Sequence, residues 1–302
     1  MKPWWSLARV APGRAAPRTT VLAMDAFDRL QLLSSQMSLE PAEETGLLGS
    51  AGGNARPGCF TPARPDEVYI HPAQLPNGKT IKLLKTLLTS ACERDCYYCP
   101  FRAGRDFRRA TFKPDEFAAL FMKLYRAGAA EGTFLSSGVA GGGLRTQDRL
   151  LDTAEILRHR YAYRGYLHLK LMPGAEPAQV ERAMQLADRV SVNLEAPNAE
   201  RLSRLAPHKQ FTEELLAPLK LVERIRRTRS SAEAFAGRWP SSTTQFVVGA
   251  ADESDLELLR TTEWLDRHVG LQRAYFSAFD PVRDTPLENK PATDPRREHR
   301  LY

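Results

Sequence analysis

The sequence predicts an α/β protein whose core is an open partial (β/α)6 barrel. From Ile81 onward, short apolar runs alternate with helical patterns of about 10–15 residues, an order typical of a parallel sheet with helices outside it. Six such units are present, too few for a closed barrel of about eight units. A cysteine-rich loop begins where the first strand ends, and in such folds the chemistry gathers at the carboxyl ends of the strands.

Three segments precede this core and differ from it in composition. Residues 1–23 contain four basic and no acidic residues. We expect them to be a disordered extension, or an upstream start with Met24 as the true first residue. Residues 25–38 carry apolar side chains at helical spacing and predict a short helix, whereas residues 41–80, rich in Gly, Pro, Ala and Asn, predict irregular coil. The predicted division is a basic extension (1–23), an N-terminal helix with an irregular wrap (24–80) and the barrel core (81–302).

Each element of the core follows from its local pattern. The strands are short runs of apolar, β-type residues, and the helices place apolar residues three and four apart, as Phe117, Phe121 and Leu124 do. Pro114 marks the first turn of the first core helix. Strands are predicted at 81–89, 133–137, 166–171, 189–195, 243–249 and 273–279. Helices are predicted between them, at 114–127, 148–160, 177–187, 211–227 and 254–268.

Length, charge and cysteine content limit the possible classes of function. The chain has 302 residues and a formal net charge of +7, which permits a sizeable core and a nucleic-acid partner without requiring the latter. No apolar run of about 18 residues is present, so we predict no membrane span. Three of the four cysteines are clustered, unlike a secreted disulfide framework, so a reducing cytoplasm is the expected compartment.

The cysteine loop is the main functional signal. Cys92, Cys96 and Cys99 are spaced C-x3-C-x2-C, and thiolates are soft ligands for iron–sulfur clusters, zinc and copper(I). A cluster normally takes four thiolates, so three would leave one iron open to a substrate or cofactor. Two other interpretations stay open. The cysteines could be inert and share one helix face, or form a structural zinc site with a fourth ligand from Cys59 or His71.

This spacing, with the aromatic Tyr98 just before the last cysteine, resembles the signature of the radical S-adenosylmethionine (SAM) superfamily. The resemblance implies that Cys92, Cys96 and Cys99 bind a [4Fe-4S] cluster and that SAM chelates the fourth iron through its amine and carboxylate. It also implies reductive cleavage of SAM to a 5′-deoxyadenosyl radical, an external electron donor, and Tyr98 as a cofactor contact. An open partial (β/α)6 barrel is the core fold of this superfamily.

Further SAM contacts are expected at the ends of the other strands. Ser136, Ser137 and Gly138 follow the second strand, where two hydroxyls and an uncrowded backbone can hydrogen-bond an ammonium group. The superfamily has a Gly-Gly-Glu-like motif there, and this sequence lacks its carboxylate. Asn193 and Glu195 share one face of the fourth strand and resemble positions that contact the SAM ribose. A plain polar turn and a solvent-facing polar row are the alternative interpretations.

Three other features are each open to two interpretations. Gly249, after the fifth strand, would permit close approach of the adenine, or is an ordinary turn glycine. His168 and Lys170 share one face of the third strand, which points inward as a substrate anchor or outward to solvent. Arginines interleaved with phenylalanines after the cysteines suit phosphates and stacked bases, or form a solvated basic loop. The arginines are Arg102, Arg105, Arg108 and Arg109, and the phenylalanines are Phe101 and Phe107.

A closer resemblance covers roughly residues 80–302. Separate blocks, among them 86–112, 132–138 and 188–195, are similar to one subfamily, the DNA modification/repair radical SAM proteins. That subfamily is paired in genomes with a uracil-DNA-glycosylase-like protein, which implies a DNA or RNA substrate and this protein partner. Its members usually continue into a helix-hairpin-helix module, whereas this sequence stops at Tyr302. The function predicted is a radical SAM enzyme; the alternative is a zinc-stabilised, non-catalytic nucleic-acid-binding protein.

Overall fold

The structure is a computed structural model that describes residues 24–37, 70–75 and 78–302. The predictions for residues 1–23 and for most of the irregular wrap, including Cys59, fall outside these ranges. The strands are β1 (Ile70–Gln74), β2 (Thr80–Leu87), β3 (Gly132–Ser136), β4 (Tyr166–Lys170), β5 (Arg189–Ser191), β6 (Ser241–Val248) and β7 (Arg273–Ala278). The helices are α1 (Ala26–Ser35), α2 (Pro114–Arg126), α3 (Gly143–Glu155), α4 (Pro177–Leu186), α5 (Ala199–Ser203), α6 (Ala217–Thr228), α7 (Asp255–Val269) and α8 (Pro295–Leu301).

Within the described ranges the strands form one seven-stranded sheet in the order β1 to β7. β2 to β7 run parallel to one another, while β1 pairs with β2 in the antiparallel sense. Helices on the outside connect the parallel strands, and the sheet curls into a half-barrel whose first and last strands do not meet. The predicted open partial (β/α)6 barrel is confirmed, with one additional strand.

Several boundaries differ from the predicted ones for physical reasons. The expectation of coil is wrong at β1, a short strand that contains Pro72, which the edge of a sheet tolerates. β5 ends at Ser191 because the N–H of Leu194 donates to the Thr244 hydroxyl instead of a backbone carbonyl, and regular pairing resumes only as an isolated bridge between Glu195 and Phe246. α3 begins earlier than predicted, at Gly143, and π-helical turns follow α3 and precede α6.

Local signals set the ends of the helices. Pro114 lies in the first turn of α2, and the Glu116 carboxylate accepts a hydrogen bond of 3.2 Å from the N–H of Lys113. α7 begins with a capping box at Ser254 and ends at Gly270, whose φ of 54° is in the left-handed region. Throughout the described segments, no helix is long and apolar enough to cross a membrane.

The two faces of the sheet have different roles. On the outer face, Leu135, Leu169 and Val190 are register neighbours on β3, β4 and β5 and are fully buried, so they belong to the core shared with the helices. On the inner face, the rings of Phe134 and His168 pack 4.4 Å apart. This packing fills the interior of the half-barrel beneath the carboxyl ends of the strands.

Side chains of α8 and of Tyr302, the residue after it, cover the open edge of β7. The Glu298 carboxylate accepts a hydrogen bond of 2.7 Å from the N–H of Ala278, and the Tyr302 hydroxyl accepts one of 3.0 Å from the N–H of Phe276. These backbone donors would pair with the next strand in a closed barrel. The helix therefore satisfies an edge that could otherwise pair with another chain.

Candidate active site

A cavity of about 630 Å³ opens at the carboxyl ends of the parallel strands. Leu87, Ser136, Lys170 and Val247, from the ends of β2, β3, β4 and β6, all line it, and so does the loop that follows β2. Its volume falls in the range of small-molecule and cofactor pockets, about 300–1,000 Å³. The topology thus gathers the strand ends and the cysteine loop around one space.

All three cysteines of the loop line this cavity. They are free thiols; Cys96 is buried, and Cys92 and Cys99 are half-buried. The segment that carries them is not helical, so the interpretation as a stripe on a helix face is wrong. Burial raises the pKa of the Cys96 thiol and the pKa of the Cys99 thiol, so binding of a metal at these sulfurs would displace protons.

Arg109 holds the cysteine loop in shape. Its guanidinium group donates to four carbonyl oxygens on both sides of the cysteines and lies 4.0 Å from the centroid of the Phe107 ring. The loop is too irregular to satisfy these carbonyls through its own backbone, so one half-buried side chain does so. The four acceptors are the carbonyls of Ser90, Phe101, Arg102 and Arg105, at 2.7, 3.0, 2.9 and 3.2 Å.

The rest of the basic stretch is also mainly an internal scaffold. Arg102 donates to the carbonyl of Asp95 at 3.3 Å, and Arg105 donates to the carbonyl of Pro100 at 3.0 Å. Of the four arginines, Arg108 alone is exposed. The stretch therefore matches neither a phosphate-binding cluster nor a solvated basic loop.

A glycine-rich link after β3 docks against the cysteine loop. The Glu93 carboxylate accepts hydrogen bonds from the N–H groups of Gly141 (3.1 Å) and Gly142 (3.0 Å), which both have a positive φ. Nearby, a Cβ atom on Gly138 would lie only 2.3 Å from the carbonyl oxygen of Ala91. Glycines at these positions allow the two backbones to approach each other.

A buried ion pair lies in the cavity wall beside the cysteines. The Nζ atom of Lys209 is 3.0 Å from Oε1 of Glu195, and the two side chains are 10% and 6% exposed. Burial disfavours the Lys209 ammonium, but the neighbouring Cys96 and Glu195 outweigh it, so the pKa of Lys209 is raised. Burial and the charge of Glu195 raise the pKa of Tyr98, whose hydroxyl hydrogen-bonds to Glu195.

Glu195 has an unusual backbone conformation. Its φ is +65°, in the left-handed region that residues with a Cβ rarely adopt. Its N–H donates to the carbonyl of Gln245 at 2.9 Å, and its own carbonyl accepts from the N–H of Val247 at 2.8 Å. β6 thus holds Glu195 on both sides. Strained residues of this kind persist where the surrounding structure over-determines them, often at functional sites.

Most of the predicted SAM contacts reach the same cavity. Ser136, Ser137 and Gly138 line it at the end of β3, together with Tyr98 and Glu195. The structure therefore brings together positions that are far apart in the sequence.

Asn193 also lines the cavity, beyond the end of β5. Its amide nitrogen donates to Oε1 of Gln245 at 3.2 Å, so its orientation is fixed by a neighbouring strand. The Asn193 side chain therefore faces the inside of the half-barrel and not the solvent.

Gly249, His168 and Lys170 have three different environments. Gly249 lies outside the cavity lining, and a Cβ atom there would lie 2.0 Å from Oγ1 of Thr293, so this glycine makes room for the C-terminal segment. His168 is fully buried below the cavity, where its Nε2 lies 2.9 Å from Oγ of Ser191. Lys170 lines the cavity, so this strand face points inward and not to solvent, and its role as a substrate anchor stays a prediction.

Several lining residues were missed from the sequence. Lys85 is 3% exposed and lines the cavity from β2, while His71 lines it from β1 and Glu298 from α8. Lys85 could have been found, because it shares the inward row of β2 with Leu87 and interrupts an apolar strand. Lys209 follows no strand or helix pattern, so no signal in the sequence marks it.

The donor set of the cavity fits an iron–sulfur cluster with one open iron. Three soft thiols face one space, which hydroxyl, amide and carboxylate groups also line. In the part of the chain that the structure describes, no three His, Cys, Asp or Glu side chains are grouped to hold a single metal ion. Cluster thiolates bind different irons and need not converge on one point. A zinc site needs such convergence, so the zinc alternative gains no support.

Fold and site together define the class: a half-barrel α/β protein whose cysteine loop opens onto a cofactor cavity. A family model described as the Radical SAM superfamily matches residues 86–265. The chain belongs to this superfamily. Enzymes of this superfamily use a [4Fe-4S] cluster and SAM and need an external electron donor. No curated protein matches the chain.

Solved structures show the same fold at low sequence identity. The crystal structure of methylornithine synthase PylB is 15% identical, has a TM-score of 0.54 and is aligned over 68% of this chain and 56% of its own. The hydrogenase maturase HydG from Carboxydothermus hydrogenoformans is 15% identical, with a TM-score of 0.53 over 72% of this chain and 49% of its own. The chain thus spans about half the length of these structures, and the likeness concerns the fold alone.

Proposed function

We propose that Cys92, Cys96 and Cys99 bind the [4Fe-4S] cluster and that SAM binds at its remaining iron. The observation that carries the proposal is that all three side chains line one cavity at the carboxyl ends of the strands. The chemistry supplied there is reductive cleavage of SAM to methionine and a 5′-deoxyadenosyl radical, with one electron from an external donor. The free thiols support a reducing compartment, the cytoplasm.

The residues around the cysteines then orient SAM. Ser136 and Ser137 offer acceptors to its ammonium group in place of a carboxylate, and Gly138 leaves the backbone accessible. Asn193 faces the same space and can hydrogen-bond a ribose hydroxyl.

Tyr98 and Glu195 complete the SAM contacts in this proposal. The Tyr98 ring is next to the last cysteine in sequence and can pack against the adenine. Glu195 shares its carboxylate with Lys209 and Tyr98, and its remaining lone pairs can accept from the ribose.

For the substrate, we propose a nucleic acid, with DNA modification or repair as the role. The resemblance of several sequence blocks to the DNA modification/repair subfamily supports it, as does the net charge of +7. Lys85 and Lys170 line the cavity, which accords with a phosphate-bearing substrate. The same resemblance supports a uracil-DNA-glycosylase-like protein as a partner.

The size of the cavity has a consequence for such a substrate. A duplex cannot enter about 630 Å³ that SAM also shares, so the reacting nucleotide must leave the base stack. Unstacking and unpairing cost a few kcal/mol and cost least in single strands or at mismatches. We therefore expect single-stranded or mismatched oligonucleotides to react before matched duplexes.

Product analysis under anaerobic conditions tests both parts of the proposal. The reconstituted enzyme, given SAM and a chemical reductant, should release 5′-deoxyadenosine and methionine in equal amounts, and a Cys99→Ala variant should release neither. Single-stranded DNA should then raise the rate of 5′-deoxyadenosine release severalfold over the rate without substrate. Absence of 5′-deoxyadenosine from the reduced, iron-loaded enzyme contradicts the reaction. An unchanged rate with single-stranded, mismatched and duplex DNA and with RNA contradicts the substrate class.

A further inference from the structure

We propose that the ion pair of Lys209 and Glu195 sets the reduction potential of the cluster, with the two residues acting in opposite directions. This inference rests on the proposed function, because it takes Cys96 and its two neighbours in the loop as cluster ligands. Both residues are positioning residues that act on the cluster through their charge.

Two hydrogen bonds fasten the segment that carries Lys209 to the cysteine loop. The N–H of Tyr97 donates to the carbonyl of Leu205 at 2.7 Å, and the guanidinium group of Arg94 donates to the carbonyl of His208 at 2.7 Å. The ammonium group is therefore held beside the cysteines although its residue lies far from them in the sequence.

The Glu195 carboxylate is also held in place by several contacts. Glu195 is clamped between two residues of β6 in a strained backbone conformation, and its Oε1 lies 3.0 Å from Nζ of Lys209. A second hydrogen bond comes from the hydroxyl of Tyr98. Neither charge can move into solvent without breaking these contacts.

Burial makes both charges effective on the cluster. Lys209 and Glu195 line the same cavity as Cys96. The side chains are 10% and 6% exposed, so water and salt screen their fields only weakly. Charge near an iron–sulfur cluster is one of the levers that set its potential.

The direction of each effect follows from the charge that reduction adds. Gaining one electron makes the cluster more negative, so a nearby cation stabilises the reduced form and an anion destabilises it. Lys209 therefore raises the potential and Glu195 lowers it.

Redox titration followed by electron paramagnetic resonance, with the reconstituted enzyme and no SAM, tests this. Lys209→Met should shift the midpoint potential downward, Glu195→Gln should shift it upward, and Lys209→Arg, which keeps the charge, should match the parent. Tyr98→Phe removes the hydrogen bond to Glu195 without changing any charge, so its shift should be smaller than that of Glu195→Gln.

Two results overturn the inference in enzyme that holds its full complement of about four irons. One is an unchanged potential in both Lys209→Met and Glu195→Gln; the other is a shift of both in the same direction, as a merely structural role would give. If Lys209→Met retains too little iron to titrate, the test rests on Glu195→Gln, which keeps the lysine. An unchanged or lowered midpoint potential in Glu195→Gln then overturns the inference. Failure of the proposed function is distinct, because the parent enzyme would then hold no cluster.

Discussion

The guanidinium group of Arg109 donates a hydrogen bond of 2.7 Å to the carbonyl oxygen of Ser90, two residues before the first cysteine of the loop. The same group binds three more carbonyls on the other side of the cysteines. The spacing of the three thiols in space thus depends on one planar side chain with donors in a fixed fork.

Replacement of Arg109 by lysine should therefore open the cysteine loop. A single ammonium group cannot reach all four carbonyls, and leaving partly buried acceptors unpaired should lower the free energy of unfolding by about 1–3 kcal/mol. The amount of iron retained after reconstitution should also fall. Urea unfolding and iron analysis provide the measurements, and Arg108→Lys is the matched control, because Arg108 is exposed and should change stability by less than about 0.5 kcal/mol. Equal iron content in the two variants would contradict the role of Arg109.

Gly138→Ala should separate the turn after β3 from the cysteine loop. The new Cβ would lie 2.3 Å from the carbonyl oxygen of Ala91 and 3.0 Å from its carbonyl carbon, so backbone must move, at a cost of about 2–3 kcal/mol. Thermal unfolding and iron content should both fall. In Gly104→Ala the added Cβ meets nothing within 4 Å and the residue has a φ of +79°, so this control should lose only about 1 kcal/mol of stability and keep its iron. Normal iron loading of Gly138→Ala would refute this close approach.

His71 should make the protein less stable in mild acid. Burial and the charge of Lys85 lower its pKa from 6.5 to about 3, so between these values the unfolded chain binds a proton that the folded chain does not. The free energy of unfolding of the parent should fall by up to about 1.4 kcal/mol for each pH unit below 6.5. His71→Gln should show a correspondingly shallower slope in urea unfolding between pH 7 and pH 5. Parallel slopes for the parent and the variant would rule out a neutral, buried His71.

Much of the fold was predictable because periodicity and order constrain it strongly. The alternation of apolar runs with helices sets a parallel sheet, and its order puts the cysteine loop at the end of β2. β1 was not predicted because a strand of five residues that contains a proline gives too weak a signal against a glycine- and proline-rich background. β5 is shorter than its apolar run because the Thr244 hydroxyl replaces a backbone partner for Leu194, an interruption that no propensity predicts.

The candidate site was predictable only in part. The cysteines, Asn193 and Glu195 could be assigned to one space, because strand ends in such a sheet meet at one edge. Lys209 could not, because it belongs to a loop that only tertiary contacts bring to the cysteines. The sequence singles out Arg109 as part of the basic stretch, but it does not give the role of this residue. Composition does not distinguish a phosphate ligand from a side chain that binds its own backbone.

The central claim is that three cysteines hold a cluster with one open iron. The most direct measurement is iron and sulfide content, with the visible spectrum, after anaerobic reconstitution of the parent, Cys96→Ala and Cys59→Ala. The parent and Cys59→Ala should hold about four irons per chain and be brown, whereas Cys96→Ala should lose both the iron and the colour. Stoichiometric zinc in a colourless parent, or a Cys96→Ala enzyme that keeps four irons and still cleaves SAM, would contradict it.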